Sequence, residues 1–185
     1  MKTALLILDM LSEFDFPNGA TLKRAAEEVA ADIARLASRA RKAKVPVIYV
    51  NDTSGKWESD QRAFLARCLS GRGAAIAQRL RPVDGDYFMF KPKHSAFYGT
   101  PLAFLLEELE VDSLILAGIS ADICISATAQ DAYVRKYRLW VPSDCVAADT
   151  EEHERQTLDH MARTMKADTR PSGVGGLGWD EVRVG

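Results

Sequence analysis

Three side chains could act together on a carbonyl: the carboxylate of Asp9, the ammonium of Lys91 and the thiol of Cys124. They supply a base, a cation and a nucleophile. A thiol with an ordinary pKa of about 8.5 is mostly protonated at neutral pH. Its attack therefore needs a carboxylate to take the proton or a cation to favour the thiolate, and Asp9 and Lys91 would supply one each. If the residues after Ile119 form a helix, Cys124 falls in the first turn, where unpaired backbone N–H groups and the helix dipole favour a thiolate. The turn from Gly118 to Cys124 could also hold the charge that develops on a carbonyl oxygen under attack.

Each of the three follows an apolar run. Ala4-Leu5-Leu6-Ile7-Leu8 precedes Asp9 and reads as a strand buried on both faces of a parallel sheet. Asp86 to Lys91 reads as the strand that ends in the lysine, and Ser113 to Ile119 as the strand before the cysteine turn. Val45 to Val50 is another strand, ending at Asn51 and Asp52; Arg138 to Pro142 is a fifth and Ala167 to Arg170 a short sixth. Leu22, Ala26, Val29, Ile33, Leu36 and Ala40 recur at helical spacing. Further helices are expected over Gln61 to Leu69, capped by Ser59 or Asp60, over Ala74 to Leu80, and after Thr100 as N-cap with Pro101 as first helical residue. Two more cover Asp122 to Lys136, capped by Asp122, and Thr150 to Met165.

Alternating strands and helices predict an α/β fold, a three-layer αβα arrangement around a mostly parallel sheet. Ligands of such sheets bind beyond the carboxyl ends of the strands. Asp9, Asp52, Lys91 and the segment from Ser120 to Cys124 all fall there. Phe14, Trp57, Phe97 and Tyr98 lie in segments around that end, where each either lines a substrate pocket or packs in the core or a dimer contact.

The chain of 185 residues, 47% hydrophobic, is long enough for one well-buried core. A single domain over 1–185 is expected, with a glycine-rich tail at 172–185. The net charge of -2 gives no basic field for nucleic acid. No apolar run reaches the roughly 18 residues of a membrane span. Met1-Lys2-Thr3 runs straight into a strand pattern, and the 3 cysteines lack the spacing of a disulfide framework or zinc knuckle. These features predict a cytoplasmic protein with reduced thiols and a small-molecule substrate. In the tail, Gly173-Val-Gly-Gly-Leu-Gly178 matches a dinucleotide fingerprint in letters alone, since no strand precedes it and no helix follows.

The stretches Lys91-Pro-Lys-His-Ser-Ala-Phe97 and Ala117-Gly-Ile-Ser-Ala-Asp-Ile-Cys124, with the strand ending in Asp9, resemble the isochorismatase-like cysteine hydrolases from Ala4 to about Met165. The resemblance implies a general base at Asp9, the family's lysine at Lys91 and the nucleophile at Cys124. It also implies a cis peptide between Ile119 and Ser120 that aims the amides of Ser120 and Cys124 at the oxyanion. Six strands ordered 3-2-1-4-5-6 and a homodimer or homotetramer are further implications. That order poses a geometric problem: the ends of the first and third strands lie two spacings apart, about 9.5 Å, so Lys91 must reach across the second.

One departure narrows the chemistry. Nicotinamidases of this family bind a metal through an aspartate and histidines after the second strand, and the segment Asn51 to Asp60 contains no histidine. No metal and no cofactor are expected. A cysteine at 124 argues for a C–N bond in an amide, ureido or N-carbamoyl compound. Vinyl-ether hydrolysis of the isochorismatase type, or a silent binding module of the same fold, are the alternatives.

Overall fold

The computed structural model describes residues 2–53, 55, 57 and 59–174. β1 (Thr3–Leu8), β2 (Val47–Asp52), β3 (Tyr87–Lys91), β4 (Ser113–Ile119) and β5 (Arg138–Trp140) form a parallel sheet in the order β3-β2-β1-β4-β5. A sixth strand, β6 (Val146–Ala147), also pairs with β4. β5 takes Ser113 to Ile115, and β6 takes Gly118 and Ile119. Two short strands thus share one flank of β4.

The stretch expected as a sixth strand, Ala167 to Arg170, makes a single bridge between Asp168 and Trp140. The Asp168 carboxylate accepts hydrogen bonds from the Arg170 backbone N–H and guanidinium, which curls the chain before a longer ladder can form.

The alternation of side chains along the strands divides the core in two. Leu5 and Ile7 of β1 join Tyr49, Ile115 and Trp140 under α1 (Gly19–Lys42), α2 (Gln61–Ser70) and α3 (Ala74–Arg79). Ala4, Leu6 and Leu8 join Ile48, Val50, Leu114 and Leu116 under α4 (Leu102–Glu108), α5 (Ser126–Val134) and α6 (Glu151–Met165). Burial on both faces is what the near-continuous apolar strands encode.

Side-chain caps fix several boundaries. Asp60 accepts from the N–H groups of Arg62 and Ala63 at the start of α2, and Thr150 from that of His153 in α6. α4 starts one residue later than the sequence suggests: Pro101 takes the N-cap position, and Thr100 Oγ1 still accepts from the Leu102 N–H at 3.2 Å. Among the described residues no helix is long and apolar enough to cross a membrane.

Gly118 sits where a side chain has no room. It pairs with Leu8 across β1 and β4, has φ +122, and a Cβ there would lie 2.0 Å from the Leu8 carbonyl oxygen. The close approach of these two strand ends sets the distance between Asp9 and the turn that carries Cys124.

Candidate active site

Asp9 leaves β1 with φ 55, in the left-handed region. Strand alternation alone would send its side chain to the α1 face, with Leu5 and Ile7. The left-handed residue breaks that alternation, and the carboxylate meets Lys91 instead. Asp9 Oδ1 accepts from the Asp52 N–H at 2.7 Å, which ties the ends of β1 and β2 together.

Lys91 ends β3, in register with Asp52. It shares the face of Met89, whereas Phe88 and Phe90 pack with Phe64 on the other. Its fully buried side chain crosses the end of β2. Nζ reaches Asp9 Oδ2 at 2.9 Å, Cys124 Sγ at 3.4 Å, the Lys93 carbonyl at 3.2 Å and Asp52 Oδ2 at 3.9 Å. The separation of two strand spacings is covered by the length of the lysine.

Cys124 lies in a π-helical turn, Ala121–Ile125, that leads into α5. The Ile119–Ser120 peptide before it is cis. The Ser120 carbonyl accepts from the N–H groups of both Ile123 and Ile125, so part of the turn's donor capacity is used internally. Asp122 caps no backbone N–H here; its carboxylate accepts from the Ser120 hydroxyl, because the turn starts at Ser120.

The three groups share their protons. Burial pushes the Asp9 carboxyl above the usual carboxylate range, against the pull of Lys91 and of hydrogen bonds from Cys124 and Asp52. Burial and then the Asp9 charge push the Cys124 thiol up to about 12, with Lys91 opposing. For Lys91, burial disfavours the charge, but Asp9, Cys124 and Asp52 together outweigh it and its pKa is raised. At neutral pH the site therefore favours a protonated thiol beside an ammonium, with a carboxyl group whose proton affinity burial raises. Desolvation and the neighbouring carboxyl group oppose the thiolate that a helix N-terminus would favour.

A cavity of about 670 Å³ opens over this centre. Asp9, Ile119, Ser120, Ile123 and Cys124 form its floor, and residues from Leu11 to Phe16, with Asn51, Asp52 and His94, form its wall. Phe14 belongs to this wall. The other three aromatics do not: Trp57 is 95% exposed, Tyr98 is 63% exposed, and Phe97 is buried against Tyr137 with their rings 5.9 Å apart.

Phe97 instead anchors the loop that follows Lys91. In that loop Ser95 donates to Asp131, and the Ala96 N–H donates to Thr128 Oγ1 at 3.0 Å. The Ser-Ala-Phe stretch thus fastens the lysine loop to α5 through one hydroxyl, one backbone amide and one ring. His94, on the same loop, turns toward Cys124, with Nδ1 3.9 Å from Sγ.

The wall contributed by Glu13, Asp15 and Phe16 was not legible in the sequence; its only signal is its place after the first strand. A shallower depression of about 300 Å³, lined by Lys2, Lys44 and Val111 among others, lies by the opposite end of β1 and holds none of this chemistry.

A transition-metal site needs three or four well-placed donors. Among the described residues the one such group is Asp122, Asp149 and His153, with ligand atoms within 4.8 Å of one another, and none of the three lines the cavity. Asp52 and His94 alone fall short of a site at the cavity, so no step of the chemistry below is routed through a metal.

This sheet, with an acid, a lysine and a thiol gathered at the strands' carboxyl ends, defines a hydrolase of the three-layer α/β class. The family model for the isochorismatase domain matches residues 3–170, and the chain belongs to that family. It is 41% identical over 165 residues to the isochorismatase family protein YaaI of Bacillus subtilis strain 168, covering 89% of this chain and 91% of that one. The crystal structure of N-carbamoylsarcosine amidase from Thermoplasma acidophilum is similar at a TM-score of 0.71 and 31% identity, over 93% of this chain and 97% of that one. That of nicotinamidase PncA from Bacillus subtilis is similar at 0.73 and 26%, over 92% and 99%.

Proposed function

We propose that the protein hydrolyses a C–N bond in a small amide, ureido or N-carbamoyl compound through a thioester on Cys124. The observation that carries this reading is the contact of Lys91 Nζ with both Asp9 Oδ2, at 2.9 Å, and Cys124 Sγ, at 3.4 Å, on the floor of an open cavity. Similarity to an N-carbamoylsarcosine amidase supports it.

The proton inventory sets the order of events. The thiol holds its proton at rest, so deprotonation accompanies attack: Asp9 accepts the thiol proton as the C–S bond forms to the substrate carbonyl. Lys91 stays an ammonium and steadies whichever anion is present, first the carboxylate and then the developing thiolate. The backbone amides of Ser120 and Cys124 serve the oxyanion. When the C–N bond breaks, Asp9 returns the proton to nitrogen and the amine or ammonia leaves. Asp9 then takes a proton from water as the water attacks the thioester; the acid is released and Cys124 regains its hydrogen. Neither a metal nor an organic cofactor is needed to balance these steps.

Ammonia release from a panel of small amides, with Cys124→Ala as control, tests the reading. Turnover that disappears in the variant is the expected result. Equal turnover by Cys124→Ala would overturn it and leave hydrolysis by Asp9 alone, as a vinyl-ether substrate would require.

A further inference from the structure

Lys91 and His94 belong to one short loop, and both turn a nitrogen to the same sulfur: Nζ lies 3.4 Å and Nδ1 3.9 Å from Cys124 Sγ. The loop is held on either side of the histidine. Before it, the Lys93 carbonyl accepts from Lys91 Nζ at 3.2 Å; after it, the Ser95 hydroxyl donates to Asp131 and the Ala96 N–H to Thr128 Oγ1 at 3.0 Å. His94 itself is exposed and lines the cavity. Its backbone is thus fixed by neighbours in the fold while its ring stays open to an incoming molecule.

The hydrogens around the sulfur decide what the ring does there. A thiol has one hydrogen, and that of Cys124 goes to the Asp9 carboxyl. An ammonium such as that of Lys91 can only donate, whereas an imidazole Nδ1 donates or accepts according to its tautomer. With the sulfur's own hydrogen committed, Nδ1 meets the lone pairs of Sγ favourably only as Nδ1–H. A separation of 3.9 Å is long for a resting contact, and catalytic contacts of this kind tighten as charge develops.

Resting on the amidase chemistry above, we infer that His94 is a further catalytic residue, whose Nδ1–H donates to Cys124 Sγ, beside Lys91, whenever the sulfur carries negative charge. That happens twice in a turnover. Charge first gathers on sulfur as Asp9 takes the thiol proton and the C–S bond forms. It gathers again when water has attacked the thioester, the C–S bond breaks and its electron pair stays on sulfur until the proton returns from Asp9. His94 gives up no proton in either step, so Asp9 keeps every proton transfer. Hydrogen bonds to an ionised acceptor are stronger than those to a neutral one, so this contact favours the transition state over the resting thiol.

Two substitutions test this: His94→Leu removes the donor, and His94→Asn keeps an N–H near the place of Nδ1. At about pH 9, where the Cys124 thiol is mostly protonated, its rate of labelling by iodoacetamide follows the thiolate fraction. That rate should fall about tenfold in His94→Leu and return to within about threefold of the unaltered protein in His94→Asn. On the panel amide that releases ammonia fastest, kcat should fall about tenfold in His94→Leu with KM within about twofold, and His94→Asn should restore it. Labelling and kcat both unchanged in His94→Leu, or His94→Asn no better than His94→Leu, would overturn this inference and leave the amidase reading intact. A change in KM alone would also overturn it, since His94 would then be a contact for the bound substrate only. Turnover retained by Cys124→Ala would overturn the amidase reading and this role with it.

Discussion

Cys124 follows β4 and Cys145 follows β5, each has an aspartate for a neighbour, and burial pushes both thiols above their ordinary value. Their remaining surroundings differ. Cys124 has an ammonium 3.4 Å away and a cavity above it. Cys145 is fully buried, and its neighbour Asp144 accepts from the N–H and hydroxyl of Ser172 at 2.7 and 2.8 Å. Arg39 holds the Ser172 carbonyl at 2.6 Å. A thiol with a carboxylate here clips the chain after α6 onto the sheet; the same pair with a buried cation and an opening has the parts of a catalyst.

Substitutions at the two cysteines should separate these roles most sharply. Cys124→Ala and Asp9→Asn should each lower kcat on a competent amide by about a thousandfold or more, while Cys145→Ala stays within about twofold. Ammonia release at saturating substrate measures both. Comparable losses at the two cysteines would erase the distinction.

Lys91→Met removes the group that only one cluster has. It leaves Asp9 buried without its ion pair, a change that costs on the order of 3–5 kcal/mol of stability when a buried partner is deleted, and kcat should fall about a hundredfold. Urea unfolding beside kinetics would show both losses, and retention of full activity would break the comparison.

The pH dependence of alkylation comes next. The Cys124 thiol sits at about 12 in the folded protein against an ordinary 9.0. Its protonated form therefore stabilises the fold fully below about pH 9, and that contribution fades as pH rises toward 12. Without substrate, iodoacetamide should label Cys124 slowly until well above pH 9. Asp9→Asn, by removing a like charge, should move the profile to lower pH, and Lys91→Met should move it higher. Cys145 should react only on unfolding. A profile rising near pH 8.5 and indifferent to both substitutions would contradict the shared-proton site.

Asp144→Ala should have the smallest effect. Loss of two hydrogen bonds to Ser172 should cost about 1–3 kcal/mol in urea unfolding, with kcat unchanged.

The placing of Asp9, Lys91 and Cys124 at strand ends was legible because apolar strands buried on both faces have a clear signature, whereas the order of the first five strands was implied only by the family resemblance. A strand as short as Val146–Ala147 leaves no periodicity to read, so the sixth strand was placed instead at the apolar start of Ala167 to Arg170. Phe97 was drawn toward the pocket by its sequence distance from Lys91, whereas a contact with Tyr137, distant in sequence, decides its position. The protonation of Cys124 depends on desolvation and on Asp9, which come together only in three dimensions. The acidic wall is invisible for a related reason: Glu13 and Asp15 look like any solvated loop until Cys124 is placed beneath them.

The segment from Leu11 to Phe16 supplies much of the cavity wall, while Asp9, Lys91 and Cys124 are positioned by strands of the core. The strand-end side chains and much of the cavity lining thus come from different parts of the chain. Loop residues tolerate exchange better than buried strand ends, so the half-buried Glu13 and the exposed Asp15 and Phe16 are where the cavity lining can vary without disturbing the strand ends beneath it.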